Sequence, residues 1–201
     1  MYKLGYDMIG QATATLAEAF YSDALVAMLC PDERSRKRCM EPVFRFSANM
    51  AVHYGEGWAT SGDMEGVALW LYSWKMGCPP WRWLSFGGLD IRRCLGRSGY
   101  KELTRVSARI DQARDSVAPE KFLYLSSLGV KPGSRRQGKA GLLVKQRVED
   151  AAQAGLSTMV ETNTPEALAF YKSVGFRVRS DFTTAGLEYF VLEYSRKAEH
   201  W

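Results

Sequence analysis

Leu128-Gly129-Val130-Lys131-Pro132-Gly133-Ser134-Arg135-Arg136-Gln137-Gly138-Lys139-Ala140-Gly141 is the stretch whose reading decides the fold. Before it, Phe122 to Val130 is apolar and β-prone. Pro132, Gly133 and Ser134 make a turn, and a helical apolar pattern follows from Gln137 to Ala154, stopped by Gly155. Strand, turn and helix start in that order build a seat for a diphosphate. The first N–H groups of a helix lack internal partners, its dipole favours negative charge, and small residues admit a ligand closely. The stretch therefore predicts a phosphate-bearing cofactor.

Two phosphate motifs share these residues. From Gly133 the text is G-x-x-x-x-G-K-A, a nucleotide-triphosphate loop without the Ser or Thr that ligates Mg²⁺, since Ala140 stands there. From Arg135 it is R-x-x-G-x-A, five residues past Val130. A purely structural alternative is also open: Ser134 and Gln137 fit an S-x-x-Q capping box, which closes a helix end without any ligand.

A second block lies one helix downstream. Met159 to Thr162 is a strand, Pro165 to Val174 a short helix carrying Phe170-Tyr171, and Gly175-Phe176 leads into another strand. Leu128-Gly129-Val130, R-x-x-G-x-A, Val160-Glu161-Thr162, Phe170-Tyr171 and Gly175-Phe176 together resemble the GNAT superfamily of N-acetyltransferases. Their wording is most similar to its puromycin N-acetyltransferase-like branch. The resemblance is firm over Leu123 to Val178 and looser before it.

The resemblance implies an α/β fold: one GNAT-like domain over residues 1–201, a mixed β-sheet wrapped by helices, with splayed central strands. Residues 1–118 would form the acceptor side and residues 119–195 the acetyl-CoA-binding core. The implied cofactor is acetyl-CoA. Backbone groups of Leu128, Gly129 and Val130 would pair with its pantetheine arm. Arg135, Arg136, Gln137, Gly138, Lys139, Ala140 and Gly141 would surround its diphosphate, and Tyr171 would stand beside its sulfur. Ala167 and Thr164 occupy positions where relatives carry an Asn toward that arm; Asn163 is the nearest amide and is expected to bind the cofactor.

Acyl transfer from a thioester to an amine needs a held cofactor, a polarised carbonyl, a neutral amine and a protonated or stabilised thiolate. Tyr171 is expected to supply the proton; the alternative is a core aromatic beside Phe170. Glu161, at a strand end, is the first choice of general base, and an ion-paired structural carboxylate is the alternative. Ser126 and Ser127 are candidates for a water chain. His53 reads as a satisfied helix-end histidine rather than a base. The acceptor, a primary amine of a small molecule or peptide, is expected against the amino-terminal helices and residues 76–98. Tyr21, Asp23, Trp58, Trp70, Trp74, Trp81 and Trp83 are candidates for its walls. A non-catalytic coenzyme A-binding protein on the same fold is the second reading.

Composition bounds the rest. The 201 residues suit one domain with a sizeable core. A net charge of +5 comes in clusters at Arg34 to Arg38, Arg92 to Arg97 and Arg135 to Lys139. Charge alone would allow a nucleic-acid binder, but no nucleic-acid signature accompanies it and no such partner is expected. Cys30, Cys39, Cys78 and Cys94 show no C-x-x-C spacing, so no metal is expected and the thiols read as reduced. No apolar run spans a bilayer and Met1 to Gly5 lacks a leader pattern; the expectation is a cytoplasmic protein without membrane contact. The oligomeric state is not legible.

Apolar spacing predicts helices over Ile9 to Tyr21, Glu33 to His53 (with Pro42 marking a kink or the true start) and Glu102 to Ala113. Gly57 to Ser61 and Gly66 to Ser73 read as a hairpin, and Arg177 to Phe182 and Glu188 to Tyr194 as the last strands. Residues 76–98 read as a loop plus a helix. Lys197 to Trp201 reads as a frayed tail.

Overall fold

The computed structural model describes residues 1–195; the tail Lys197 to Trp201 lies outside the described residues. One seven-stranded sheet organises the chain. Its strands are β1 (Tyr2–Lys3), β2 (Gly55–Ala59), β3 (Gly66–Tyr72), β4 (Phe122–Val130), β5 (Ser157–Thr162), β6 (Arg177–Thr184) and β7 (Leu187–Tyr194). They lie in the order β1-β2-β3-β4-β5-β7-β6. All neighbours are antiparallel except β4 and β5, which run parallel.

The helices are α1 (Ile9–Ala19), α2 (Ala24–Leu29), α3 (Glu33–Tyr54), α4 (Pro80–Ser85), α5 (Gly88–Asp115), α6 (Lys139–Gln153) and α7 (Pro165–Val174). α1, α2, α3 and α5 cover one face, where Leu16, Phe44, Ile91 and Leu95 pack with Val67 and Leu69 of β3. α6 and α7 cover the other, where Leu143, Val144, Val148 and Tyr171 pack with Ala68 and Trp70. β3 is buried on both faces, so it reads as a continuous apolar run rather than an alternating one.

The splay of the central strands has a visible cause. β4 and β5 pair only through Phe122–Ser157, Leu123–Thr158 and Tyr124–Met159. Beyond Tyr124 each strand follows its other neighbour: β4 stays paired with β3 as far as Val130–Gly66, and β5 with β7 as far as Thr162–Phe190. A bulge opposite Leu69 and Trp70, at Ser126, bends β4 away. The Ser126 hydroxyl closes the bulge by donating to the Leu69 carbonyl at 3.1 Å. At the far end Gly129 lets α1 sit directly on β4; a Cβ there would lie 2.9 Å from both Ala19 and Leu16.

Some boundaries differ from the sequence reading. α3 continues through Pro42 as one helix, so Pro42 is not its start; Met40, Phe44, Ala48 and Ala51 anchor it on both sides of the lost hydrogen bond. The helix expected from Glu102 begins at Gly88, with a break at Gly96, whose φ is +65°. Residues 76–98, read as a loop plus a helix, contain two helical pieces, α4 and the first part of α5. α2, capped by the Asp23 carboxylate through the Leu25 and Val26 amides, has no separate sequence signature beyond that cap. Among the described residues no helix is long and apolar enough to cross a membrane.

Candidate active site

The loop between β4 and α6 presents a row of unused donors. From Arg136 through Gly141 no backbone amide donates to a carbonyl or side chain among the described residues. Arg136 and Gly138 sit in the left-handed region, at φ +59° and +75°. This turns successive N–H groups into a concave anion-binding nest at the positive end of a helix. A Cβ at Gly138 would meet nothing within 4 Å, so open space lies above the nest. The capping box is not formed: α6 starts at Gly138 with no side-chain cap, and the Gln137 amide instead donates to the Gly133 carbonyl at 3.3 Å.

The three basic side chains here have different tasks. Arg135 donates to the carbonyls of Val130 at 3.3 Å and Ala19 at 2.7 Å, stapling β4 to the end of α1. The Lys139 ammonium is engaged by Glu65 in the turn between β2 and β3. Arg136 makes no side-chain hydrogen bond among the described residues and is exposed. Among the described residues, Arg135 and Lys139 are thus anchored by protein partners and Arg136 is not.

The gap between β4 and β5 opens into a cavity of about 600 Å³. Leu128, Gly129 and Val130 line it from β4, and Glu161, Thr162 and Asn163 from the end of β5. Leu25, Val26, Met40, Val43 and Phe44 close it from α2 and α3. Thr164 accepts from the Ala167 amide at 3.3 Å as the cap of α7. Thr164 also lines the cavity.

Glu161 is 5 % exposed, and its Oε1 lies 3.6 Å from Nη1 of Arg114, which is 3 % exposed. Arg114 belongs to the last turn of α5. It is tied to Asp111 at 2.6 Å and Asp115 at 3.5 Å, and its guanidinium covers the Tyr124 ring at 4.5 Å. Burial pushes the Glu161 carboxyl up to about 7, with Arg114 and the Tyr124 hydroxyl pulling it partly back. Glu161 is ion-paired, and it also lines the cavity.

Tyr171 is both a packed aromatic and part of the cavity wall. Its ring packs between Phe170 and Phe176, at 5.2 and 5.4 Å, while the residue lines the cavity. Burial first, and the Glu161 charge second, raise its phenol above the ordinary range. It keeps its proton at neutral pH.

Residues 96–176 match the model of the acetyltransferase (GNAT) family. The match covers the central strands β4 and β5 and the loop before α6. The matched span contains the amide nest, Arg114, Glu161 and Tyr171. Solved structures repeat the architecture over nearly the whole chain. One is a histone acetyltransferase HPA2 and related acetyltransferase from Corynebacterium glutamicum, at TM-score 0.67 and 15 % identity over 100 % of this chain and 97 % of that one. Another is a Drosophila melanogaster polyamine N-acetyltransferase that forms N-acetylagmatine, at TM-score 0.63 and 14 % identity over 96 % and 98 %. At such identity the likeness is one of fold.

The residues expected as acceptor walls are redistributed in this fold. Of those candidates only Asp23 lines the central cavity. Trp70 is fully buried in the sheet core. Trp58 donates to Glu56 at 2.9 Å. Trp74 and Trp81 are exposed, and Tyr21 donates to the Glu33 carbonyl at 3.0 Å. Trp83 lines a neighbouring groove. His53 lies outside the cavity, its Nδ1 3.1 Å from the Asn49 carbonyl and its ring against Phe86. The sequence reading missed Arg114, Tyr124 and Tyr189. Tyr189 lies beside Asp23 and Asn163, and burial pushes its phenol up to about 12. Nothing local distinguishes these three from ordinary core residues until the sheet brings them together.

Proposed function

We propose that the protein transfers an acetyl group from acetyl-CoA to a primary amine of a small molecule or peptide. The observation that carries this reading is the run of six unengaged amides at one end of a gap whose interior holds Glu161 and Tyr171. The residues fit such a cofactor. The nest offers donors, and Arg136, unpaired among the described residues, offers a cation to a diphosphate. The unpaired edge of β4 over Leu128, Gly129 and Val130 offers strand-like hydrogen bonds to the amides of an extended arm. Asn163 adds a side-chain amide at the other wall. Acetyl-CoA bound there supplies the activated acyl thioester.

The chain's own groups meet the remaining requirements. Tyr171 holds a proton on a phenol that is positioned to be donated to a leaving thiolate. Glu161 exchanges its proton near neutrality, so it can take one from an incoming ammonium directly or through water. Asp23, inside an otherwise apolar wall, attracts the amine. On this reading residues 1–118 provide the acceptor side and residues 119–195 the cofactor side. The puromycin N-acetyltransferase-like wording of the second half supports a small-molecule amine.

Calorimetric titration with acetyl-CoA tests it. Saturable binding in the micromolar range is expected. Gly138→Val, which forces a β-branched residue into the left-handed region at a cost of about 1–2 kcal/mol, should weaken binding about tenfold. No heat of binding at high micromolar cofactor would discard the reading.

A further inference from the structure

A second cavity, of about 440 Å³, lies between α3 and α5 beside the central one. Val43, Ser47 and Leu103 line both. Helical spacing explains this arrangement. Leu103 and Ile110, seven residues apart on α5, face the central cavity. Thr104, Ser107, Ala108 and Asp111, spaced by three and four, form the adjoining stripe and face the groove. Trp83 of α4 adds an aromatic wall.

We propose that this groove is a second acceptor subsite, which takes the apolar body of an arylalkylamine while its nitrogen lies in the central cavity near Glu161 and Asp23. The inference rests on the acetyl-transfer reading above and names its substrate class. Continuity through the three shared residues is the first support. The second is chemistry: Phe46, Trp83, Ile91 and Tyr100 make an aromatic and aliphatic surface suited to a ring. The third is charge. The one carboxylate lining the groove, Asp111, is already held by Arg114 at 2.6 Å. A polyamine would therefore leave its distal ammonium without a free counter-charge, whereas a monoamine with an apolar tail leaves nothing unpaired. The span also agrees. Ala108 precedes Arg114 by six residues, which a rise of 1.5 Å per residue makes about 9 Å along α5. A ring on a two- or three-carbon chain covers about that distance.

Steady-state kinetics at saturating acetyl-CoA with 2-phenylethylamine, ethylamine and putrescine tests the subsite. The unmodified protein should favour 2-phenylethylamine over both others by at least tenfold in kcat/KM. Ala108→Trp, which fills the groove from an exposed helical position, should lower kcat/KM for 2-phenylethylamine at least tenfold and leave that for ethylamine within twofold. Ser107→Glu, which adds a free carboxylate, should raise kcat/KM for putrescine relative to 2-phenylethylamine. Calorimetry with acetyl-CoA and thermal melts on both variants confirm that fold and cofactor site persist. Equal turnover of the three amines, or an equal loss for 2-phenylethylamine and ethylamine in folded Ala108→Trp, overturns the subsite while leaving acetyl transfer in place. Absence of thiol release with every amine overturns both.

Discussion

Tyr171→Phe should lower kcat by about two to four orders of magnitude, the usual contribution of a positioned acid or base, and leave acetyl-CoA affinity within a few-fold. The structure makes this substitution unusually clean. The ring stays packed between Phe170 and Phe176 in either form, so the core on the α6–α7 side keeps its shape. The raised phenol is explained by burial and the Glu161 charge alone, with no hydrogen-bonding side chain among its causes. Removing a buried hydroxyl that no protein group needs is close to neutral for stability. The melting temperature should therefore be unchanged within error. Stopped assays of thiol release with and without an amine, beside calorimetry for the cofactor, separate the two effects. A variant that binds the cofactor and turns over at the original rate removes Tyr171 from the chemistry and returns it to the core.

The parts of this site that were legible in sequence are those whose function imposes local backbone geometry. A strand that ends at Val130, a glycine that accepts positive φ at position 138 and a helix that begins there are all written in adjacent residues. The same is true of Glu161 at a strand end and Tyr171 on a short helix. Side-chain partnerships across the sheet were not legible. Arg114 lies 47 residues from Glu161 and is indistinguishable by spacing from the solvated arginines of the same helix, such as Arg105 and Arg109. The ion pair of Lys139 with Glu65, in the turn between β2 and β3, has no trace in the sequence around either residue. The tryptophans misled for a related reason: aromatic residues serve cores and pockets equally well, and only the pleat decides that Trp70 faces α6. The groove between α3 and α5 is likewise a product of helix packing, which no local pattern encodes.

The pH dependence of acceptor turnover should expose the buried pair directly. A base works as the carboxylate, so kcat/KM for the amine should rise with pH through a limb near 7, not near the 4.5 of a solvated carboxyl. A second limb at higher pH belongs to the amine itself. Glu161→Gln should remove the first limb, keep the second and lower kcat by about two to four orders of magnitude. The groups that face Glu161 are Arg114, Asp111 and Asp115 from α5, Tyr124 from β4 and Tyr171 from α7. Arg114 is the cation that favours the ionised form, so Arg114→Gln should move the first limb to higher pH. Stability must follow with a definite sign. The native carboxyl keeps its proton up to about 7, while the unfolded one loses it near the ordinary value of 4.5. Its contribution to stability is therefore whole at acid pH and is lost as pH rises through 7, a change on the order of 3 kcal/mol. Without Arg114 that loss extends to higher pH and grows, because an ionised Glu161 then lacks its partner. Thermal melts of Arg114→Gln should lie nearest the parent protein below pH 6 and furthest from it above pH 8. A gap independent of pH, together with an unmoved kinetic limb, would mean that Arg114 only packs against Tyr124 and that another group sets the proton balance of the site.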